Sequence, residues 1–490
     1  MITLGIDIGT SSVKAALVGW DNAGREKLIA QSHRGLNIDR PQPGYSEQNP
    51  LAWWEATLAC IDEIRDANPG KLAACKSIGL SGQMHGATLL DANDNPLRPC
   101  ILWNDSRSET QCTTLESSWP ESREVTGNVA MPGFTAPKLL WVREHEPELF
   151  ERIHKILLPK AFVRLKLCGE AVEDMSDASG TLWLDVAQRS WSNDALSVCS
   201  LTLSQMPRLV EGSEVAGRLR MELSHRWGMV RAPIIAGGAG DNAAGAISVG
   251  AVQPGEGFVS LGTSGVIWAT TEKFMPMPLR GVHAFCHALP KRWHQMGVLL
   301  NAASCLSWWA GVTGKTETEL ISEILPNACG NAAFLPYLSG ERTPHNDVRV
   351  RGGFLGLDAA HDRASLTLSV LEGVCYAMRD ARDALATSGT HLEEASLIGG
   401  GARSSIWCQL MADVLQIPMH TLAATELGCA LGAARLAFLA ATGADVDQLE
   451  RPSRVQTYEP SAAAGALHMH RFNAWQQLYA RVRDTGFEPA

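Results

Sequence analysis

The chain has 490 residues, of which 45% are hydrophobic and 19% charged, so about two or three domains with large cores are expected. Its formal net charge is −10, which argues against nucleic acid or an anionic membrane as the main partner. The twelve cysteines show no CxxC pair, and Asp7 lies where a signal peptide would need an apolar core. We therefore expect reduced thiols and a cytoplasmic protein without a membrane partner.

The first motif is a hairpin near the N-terminus. Residues 4–18 read as a strand, a turn and a second strand, with Gly9, Thr10 and Ser11 at the tip. Backbone amides and hydroxyls at such a tip suit an anion. Asp7 precedes the tip and suits Mg²⁺, which prefers carboxylates together with phosphate oxygens. For one hairpin taken alone, an ordinary β-hairpin is the favoured alternative.

Polar side chains interrupt the next apolar stretch. Residues 78–90 read as a strand, a polar insert and a second strand. The insert places an amide, a thioether and an imidazole side by side in Gln83, Met84 and His85. Recognition of a polyol needs a mixed set of donors and acceptors of this kind. A turn histidine satisfied by its own neighbours is the alternative.

Residues 99–107 repeat this form. An apolar strand leads into a polar cluster that begins with Trp103, Asn104 and Asp105. In open α/β sheets, binding sites collect at the carboxyl ends of the strands. These three residues are therefore candidates for the same site as the polar insert.

A glycine-rich turn with one acid lies at the middle of the chain. Residues 234–245 run from a probable strand end through glycines to Asp241, which stands among small apolar residues. Small residues allow a ligand to approach the backbone closely. An acid in such surroundings can have its pKa adjusted for proton transfer. The alternative is that Asp241 caps the N-terminus of a helix.

A second hairpin repeats the first about half a chain later. Residues 258–268 carry Gly262, Thr263 and Ser264, while Ser260 occupies the position that Asp7 has in the first copy. This repeat suggests a duplicated domain. Two opposed hairpins with one acid would form a clamp for a polyphosphate and its metal ion.

One further glycine cluster points to a nucleotide. Gly399, Gly400 and Gly401 follow an apolar strand and allow flat backbone contact with a purine or a ribose. A P-loop is excluded, because Trp309 stands where the motif before Gly314-Lys315-Thr316 needs glycine.

Several other stretches carry structural expectations. Lys138 could contact a phosphate, but we expect a solvated helix lysine. Residues 295–312, which lack charges, are expected to form one buried core helix. Residues 426–435 predict a small-residue helix packed closely on a helix or a strand, as a hinge or as part of a core. The alternation around His283, Cys286 and His287 favours a strand over a metal site.

The motifs, taken in order, match a known superfamily. The two hairpins, the triglycine and the small-residue helix resemble those of the actin/Hsp70/sugar-kinase ATPases. Within that superfamily the chain resembles the FGGY carbohydrate kinases from end to end. Residues 133–145 fit the first signature of that family, and residues 352–372 resemble the second. The second departs at Ser365, which is a plausible replacement at a helix start.

The resemblance implies an α/β fold of two similar ribonuclease H-like domains with a cleft between them, over residues 1–247 and 248–490. It implies ATP and Mg²⁺ as cofactors. Residues 83–86, 102–105, 240–245 and 335–344 resemble the members that phosphorylate a pentulose, which implies D-xylulose as the substrate and its terminal hydroxyl as the acceptor. A homodimer is compatible with the sequence, which does not define the oligomeric state.

The resemblance also implies roles for single residues. Asp241 would be the general base, and Asp7 would serve the metal and the phosphates. Sugar contacts are implied for Met84, His85, Asp241 and Asn242, and Trp103, Asn104 and Asp105 are candidates beside them. Nucleotide contacts are expected at Gly9, Thr10, Ser11, Lys14, Gly262, Thr263, Ser264, Gly399, Gly400 and Gly401.

Two alternatives stay open. The substrate could be another ketopentose, an alditol or gluconate, because one or two hydrogen bonds can discriminate between epimers. The chain could also be a non-catalytic ATPase switch of the same superfamily, although the sugar-side cluster would then be unexplained.

Overall fold

The computed structural model describes residues 1–325, 332–423 and 427–483, so Cys329 and Glu426 lie outside the described residues. The strands are β1 (Ile2–Ile8), β2 (Ser12–Trp20), β3 (Glu26–Gly35), β4 (Glu47–Gln48), β5 (Ser77–Gly82), β6 (Thr88–Leu90), β7 (Cys100–Ile101), β8 (Lys155–Leu157), β9 (Val172–Asp174), β10 (Leu184–Asp185), β11 (Ser190–Trp191), β12 (Arg208–Val210), β13 (Val215–Arg218), β14 (Ile234–Ala236), β15 (Ala239–Gly240), β16 (Gly257–Leu261), β17 (Gly265–Thr271), β18 (His283–Cys286), β19 (Trp293–Leu299), β20 (Ala333–Leu335), β21 (Gly353–Leu355), β22 (Ala395–Ile398), β23 (Met419–Leu422) and β24 (Arg454–Tyr458).

The α-helices are α1 (Pro50–Ala67), α2 (Pro69–Ala73), α3 (Glu109–Ser118), α4 (Ser122–Thr126), α5 (Thr135–His145), α6 (Pro147–Phe150), α7 (Pro159–Cys168), α8 (Met175–Ser179), α9 (Asn193–Val198), α10 (Met221–Arg226), α11 (Asp241–Val249), α12 (Ala303–Thr313), α13 (Glu317–Ser322), α14 (Arg363–Ala386), α15 (Ser405–Leu415), α16 (Gly428–Thr442) and α17 (Ala462–Arg483). Short 3-10 helices cover Leu203–Gln205, Pro278–Arg280, Gly400–Arg403 and Val446–Gln448.

Two large sheets of similar order form the framework. The first runs β13-β14-β5-β1-β2-β3, with β15 also paired to β5, and the second runs β18-β19-β17-β16-β22-β23-β24. In both sheets an antiparallel meander continues into two parallel strands, β5 and β14 in the first and β22 and β23 in the second. An antiparallel strand follows at each end, β13 and β24. The expected pair of similar α/β domains is confirmed.

The two glycine hairpins differ in length. In the first, β1 and β2 pair Ile8 with Val13, which leaves residues 9–12 as the tip. In the second, β16 and β17 pair Leu261 with Gly265, which leaves residues 262–264. The second tip is therefore one residue shorter, so the two copies do not present identical surfaces to a ligand.

Helix α16, from the C-terminal half, lies directly on the sheet of the N-terminal half. A Cβ at Gly5 on β1 would stand 1.9 Å from the Ala430 oxygen, and a Cβ at Gly79 on β5 would stand 1.9 Å from the Ala433 oxygen. A Cβ at Gly432 would stand 1.9 Å from the backbone oxygen of Ala244 on α11. The small residues thus allow α16 to pack closely on both a sheet and a helix. The sequence analysis had given these two packing partners as alternatives.

One expectation about the core was wrong. Residues 295–312 do not form a single helix, because β19 covers Trp293–Leu299 and α12 begins only at Ala303. The strand pairs residue by residue with β17, from Leu299 opposite Gly265 to Trp293 opposite Thr271. Cross-strand pairing therefore overrides the uniform apolar pattern. Within the described ranges, no helix is both long and apolar enough to span a bilayer.

Candidate active site

The site lies where three neighbouring strands of the first sheet end. The register places Asp7 of β1 beside Ser81 of β5, and Ser81 beside Ala239 of β15. The first hairpin, the polar insert and the Asp241 turn each follow one of these strands. Parallel strands bring their carboxyl ends to one edge of a sheet, so the three segments share one cleft.

Asp241 is the first residue of α11, and Gly240 is the residue that caps this helix. The alternative that Asp241 is the cap was therefore wrong. One carboxylate oxygen, Oδ1, accepts hydrogen bonds from the backbone nitrogen of Asn242 at 2.6 Å and from its side-chain Nδ2 at 2.9 Å. The side chain keeps a partial opening to solvent. Its other oxygen remains available to a ligand in the cleft.

Burial and a second acid change the proton affinity of Asp241. Desolvation first, and the charge of Asp7 second, raise the pKa of Asp241 to about 6, against the lowering effect of the Asn242 bonds. At neutral pH the group is therefore ionised, yet it is a stronger base than an ordinary aspartate. This is the combination that proton abstraction from a hydroxyl requires.

Asp7 is buried at the end of β1. Desolvation raises its pKa, while the Ser81 hydroxyl, which donates to Oδ1 at 3.1 Å, and the charge of Lys14 lower it. Among the described residues, none donates a hydrogen bond to Oδ2. A buried carboxylate with one oxygen open to the cleft suits a cation.

The first hairpin is tied to the polar insert and to Trp103 by a chain of hydrogen bonds. The indole nitrogen of Trp103 donates to the Thr10 hydroxyl at 3.0 Å, and this hydroxyl donates to Gln83 Oε1 at 2.9 Å. Gln83 Nε2 donates to Gln48 Oε1 at 2.9 Å, and Gln48 Nε2 returns to the Thr10 carbonyl at 2.7 Å. Trp103, 45% exposed, thus lies at the cleft with its orientation fixed by the hairpin.

His85 is held in the left-handed region at φ 68°, with Nδ1 2.7 Å from the carbonyl oxygen of Gly180. Burial is the main cause that lowers its pKa to about 3, so the ring is neutral. Because Nδ1 faces a carbonyl, it carries the proton, and Nε2 is left as an acceptor. The ring meets Phe134 edge to face at 4.8 Å, which fixes its plane.

Met84 lies against the turn that carries Asp241. A Cβ at Gly240 would stand 2.9 Å from the Met84 sulfur, and a Cβ at Gly180 would stand 3.0 Å from its terminal carbon. Met84 thus packs closely against Gly240 of the Asp241 turn and against Gly180. The two segments that the sequence treated separately form one surface.

Lys138 is not solvated, so that expectation was wrong. The side chain is fully buried, and Nζ donates to the carbonyls of His85 at 2.9 Å and Gly133 at 2.7 Å. Desolvation lowers its pKa to about 7. Lys138 thus stabilises the polar insert through the His85 carbonyl and does not contact a phosphate.

The residues of the polar cluster at 103–105 have two different roles. Asp105 is buried and accepts hydrogen bonds from the Ser46 nitrogen at 2.6 Å and from Arg107 at 2.7 Å. Its carboxylate is engaged in this ion pair, which anchors the loop. Asn104 is exposed, and within the described ranges only Trp103 of the three bonds to the hairpin.

A large cavity adjoins the acids. Its volume is about 870 Å³, and its lining includes Lys14, Ser260, Gly399, Gly400 and Cys429. The first hairpin strand, the second hairpin strand and the triglycine thus face one space. The tip residues Gly9, Thr10, Ser11, Gly262, Thr263 and Ser264, together with Gly401, are not among the residues that line it.

The triglycine is pressed against the strand that leads into the second hairpin. Gly399 has φ 89°, and a Cβ there would stand 2.7 Å from the backbone of Leu261. A Cβ at Gly401 would stand 2.7 Å from the Leu261 side chain. The close approach accounts for two of the three glycines, and Gly400 is left free of such contacts.

The C-terminal half also reaches the surroundings of His85. Strand β18 carries His283, whose Nδ1 lies 2.8 Å from Asn128 Oδ1, so the strand prediction there is confirmed. Burial is the main cause that lowers the pKa values of His85 and His283, and the charge of Arg342 lowers both further. The sequence analysis included Arg342 in residues 335–344 without giving this residue a role of its own.

Cys429 is a neighbour of the acids that the sequence analysis missed. Its Sγ lies 3.2 Å from the backbone oxygen of Asp241, and burial first and the charges of Asp7 and Asp241 next raise its thiol pKa. The contact joins residues 188 positions apart, which no local pattern can indicate.

Two similar sheets, a glycine hairpin in each, and an acid of raised pKa beside a large cavity fit a two-domain ATP-dependent kinase. Residues 2–248 match the N-terminal domain, and residues 257–441 the C-terminal domain, of the FGGY family of carbohydrate kinases. The chain belongs to this family, whose members use ATP.

Relatives and solved structures agree with this assignment. A xylulose kinase of Escherichia coli (strain K12) is 47% identical over 98% of this chain and 99% of its own length. A solved structure described as a xyloylose kinase from Brucella ovis superposes with a TM-score of 0.96 at 48% identity, covering 99% of both chains. A xylulose kinase structure from Rhodospirillum rubrum gives a TM-score of 0.90 at 26% identity, again over 99% of both chains.

Proposed function

We propose that the protein transfers the γ-phosphoryl group of ATP to the 5-hydroxyl of D-xylulose, giving D-xylulose 5-phosphate and ADP. The observation that carries this proposal is the pair of acids at the strand ends, in which Asp241 has a pKa of about 6. An ionised but basic carboxylate beside a cavity of about 870 Å³ suits transfer from a nucleotide to a neutral hydroxyl. The xylulose kinases among the full-length relatives support the choice of sugar.

In the reaction, the sugar hydroxyl oxygen attacks the γ-phosphorus while the carboxylate of Asp241 takes the hydroxyl proton. The new O–P bond forms as the bond between the γ-phosphorus and the bridging oxygen breaks, and that oxygen leaves as part of ADP. Phosphoryl transfer gains mainly from positioning and charge stabilisation. The base therefore has to be held firmly at the hydroxyl, and the Asn242 bonds to Oδ1 meet this need.

The sugar is placed against the surface formed by the polar insert and the Asp241 turn. The unprotonated Nε2 of His85 accepts from a sugar hydroxyl, and Asn242 supplies an amide beside the base. Met84 gives an apolar floor, and Trp103 borders the cleft. Asp105 is engaged with Arg107, so we assign it to the support of the loop.

The nucleotide occupies the adjoining cavity. Lys14 faces the phosphates, and Gly399 and Gly400 lie flat against the adenosine, in keeping with their place in the cavity wall. The tips at residues 9–11 and 262–264 close on the phosphates from the two halves. Domain closure would bring these tips to the ligand and exclude water from the transfer.

Asp7 is the residue that fits Mg²⁺. Its pKa is raised by burial, and its Oδ2 accepts no hydrogen bond from the described residues, so a cation would relieve an unfavourable burial. Mg²⁺ bound there would neutralise charge on the phosphates. Asp7 itself keeps this position by its bond with Ser81.

We place the domain boundary near residue 247, in the last turn of α11. We also infer a cytoplasmic location, since the described cysteines are free thiols and most are buried. The possibility of a homodimer remains a prediction.

The experiment is a coupled ADP-release assay over a panel of ketopentoses, alditols and gluconate. D-xylulose should give the highest kcat/KM, and Asp241→Asn should lower the sugar-dependent rate by about 10²–10⁴ while it keeps nucleotide binding. An ADP release rate that is the same with and without every sugar would refute the proposal. A higher kcat/KM with another polyol would refute the choice of substrate and retain the chemistry.

A further inference from the structure

A buried charged cluster lies behind the cleft, and the mechanism above does not use it. Its members are fully or almost fully buried: Lys160, Arg164, Glu173, Asp174 and Asp177. Lys160 Nζ contacts Asp174 Oδ2 at 2.6 Å and Asp177 Oδ2 at 3.2 Å, and it also contacts Glu173. Burial of five ionisable groups is unfavourable compared with an apolar core of the same volume. A gain in stability therefore does not explain the presence of this cluster.

The three acids do not form an open cation site. The amine of Lys160 stands among their carboxylates and already supplies the positive charge. Burial is the first cause that raises the pKa values of both Glu173 and Asp177, and the charge of Lys160 lowers them.

One arm of the cluster reaches the residue before Asp241. Asp174 Oδ1 accepts a hydrogen bond from the Ser176 hydroxyl at 2.5 Å and another from the Ser176 nitrogen at 2.9 Å. Because the single hydroxyl proton is used in this way, the Ser176 oxygen is free to accept. It accepts from the backbone nitrogen of Gly240 at 3.1 Å.

A second arm reaches the start of the same turn. Arg164 donates from one terminal nitrogen to the Val172 carbonyl at 2.6 Å and from the other to the carbonyl of Gly237. Within the turn, Gly238 has φ 73°, and the backbone nitrogens of Gly237 and Gly238 donate to the carbonyls of Glu214 and Gly212, each at 2.9 Å. Side chains add a contact at each end of the turn: Arg164 at Gly237, and Ser176, oriented by Asp174, at Gly240.

The cluster also touches the sugar-side insert. A Cβ at Gly82, the last residue of β5, would stand 3.0 Å from Lys160 Cβ. Lys160 therefore lies directly beneath the point where the insert begins. The insert and the Asp241 turn follow different strands, but both contact residues of this charged cluster.

We propose that Ser176, oriented by Asp174 and assisted by Arg164, is a positioning residue that holds Asp241 at the reacting hydroxyl. The inference rests on the proposed function, in which Asp241 is the base. A displacement of about 1 Å at a reacting group can reduce the rate by a factor of about a hundred. A single hydrogen bond to the preceding residue is suited to control displacements of this size.

The test compares Ser176→Ala with a matched control, Ser224→Ala. Ser224 is equally buried in the same half, but among the described residues its hydroxyl bonds only the carbonyl of Arg220, which precedes its helix. Ser176→Ala should lose more thermal stability than Ser224→Ala, because it also removes a donor from the buried Asp174 carboxylate. Only Ser176→Ala should lower kcat for the sugar, by about tenfold, with the KM for ATP unchanged.

The pH profile separates positioning from a change in the base itself. In Ser176→Ala, the plateau value of kcat/KM should fall. The acid limb, which is the decrease of kcat/KM toward low pH, should stay near pH 6, the pKa of Asp241. An unchanged kcat, an equal loss of kcat in both variants, or a shifted limb would overturn the inference. Failure of the proposed function is distinguishable, because the unaltered enzyme would then show no sugar-dependent turnover.

Discussion

The pKa of Asp241 leads to a prediction for the pH dependence of the reaction. The value of about 6, against 3.8 for an ordinary aspartate, comes from burial and from the charge of Asp7. The plot of kcat/KM against pH reports the ionisation of the free enzyme. At pH 5 about one tenth of the base is ionised, so kcat/KM should lie about tenfold below its plateau. With an ordinary aspartate the loss at pH 5 would be below about 10%.

The assay is initial-rate ADP release from pH 5 to 8, with D-xylulose and ATP both well below their KM values and with excess Mg²⁺. Asp241→Asn is the control, because amide for carboxylate keeps the shape of the side chain and removes its basicity. Its rate should be lower by about 10²–10⁴ at pH 7.5. The residual rate should lack the acid limb, which separates ionisation of the enzyme from ionisation of the substrates.

Two results would refute this reasoning. A kcat/KM that is still on its plateau at pH 5 would show that the surroundings do not raise the pKa of Asp241. A limb that persists unchanged in Asp241→Asn would show that another group, or a substrate, is responsible for it.

The structure leads to further predictions. Asp241→Asn should stabilise the protein by about 1–3 kcal/mol at pH 7.5, and by nothing below about pH 4, in urea unfolding. The sign follows because a raised pKa favours the protonated form in the folded state, so that stability is lost as the pH rises through about 6. Gly432→Ala should destabilise the protein by about 3 kcal/mol or more, because its Cβ would stand 1.9 Å from the Ala244 oxygen. Gly311→Ala, at a helix position with no atom within 4 Å of the new Cβ, is the control and should not lower Tm. Asp7→Asn should raise the Mg²⁺ concentration for half-maximal activity by about tenfold or more, measured at saturating ATP. An unchanged Mg²⁺ requirement would remove Asp7 from the metal site.

The sequence predicted the features that are local along the chain. The two hairpins, the polar insert with His85 and the turn with Asp241 are each written in about ten consecutive residues. The duplicated fold followed because the hairpin pattern occurs twice at half-chain spacing. These elements can be predicted without knowing which distant segments of the chain come into contact.

The features that the sequence did not predict depend on long-range contacts. Lys138 bonds the carbonyl of His85 from 53 positions away, so the same residue that reads as a surface lysine is in fact buried. Ser176 bonds Gly240 across 64 positions, and its own segment carries no recognisable motif. Asp105 looked like a site acid because its ion pair with Arg107 was not apparent from spacing alone.

The lengths of apolar stretches were another source of error. Residues 295–312 are uniformly uncharged, and periodicity alone does not separate a buried strand from a buried helix. The pairing of β19 with both β17 and β18 decides the matter, because it fixes the strand in the middle of the second sheet.

The most direct test of the proposed transfer is the site of phosphorylation on the product. D-xylulose labelled with ¹³C would be incubated with the enzyme, ATP and Mg²⁺, and the product followed by ¹³C and ³¹P NMR. The mechanism predicts phosphorus coupling at C5 and C4, with one ADP formed per sugar phosphorylated. Coupling at C1, or ADP formed without any phosphorylated sugar, would contradict the assignment of Asp241 as the base for the terminal hydroxyl.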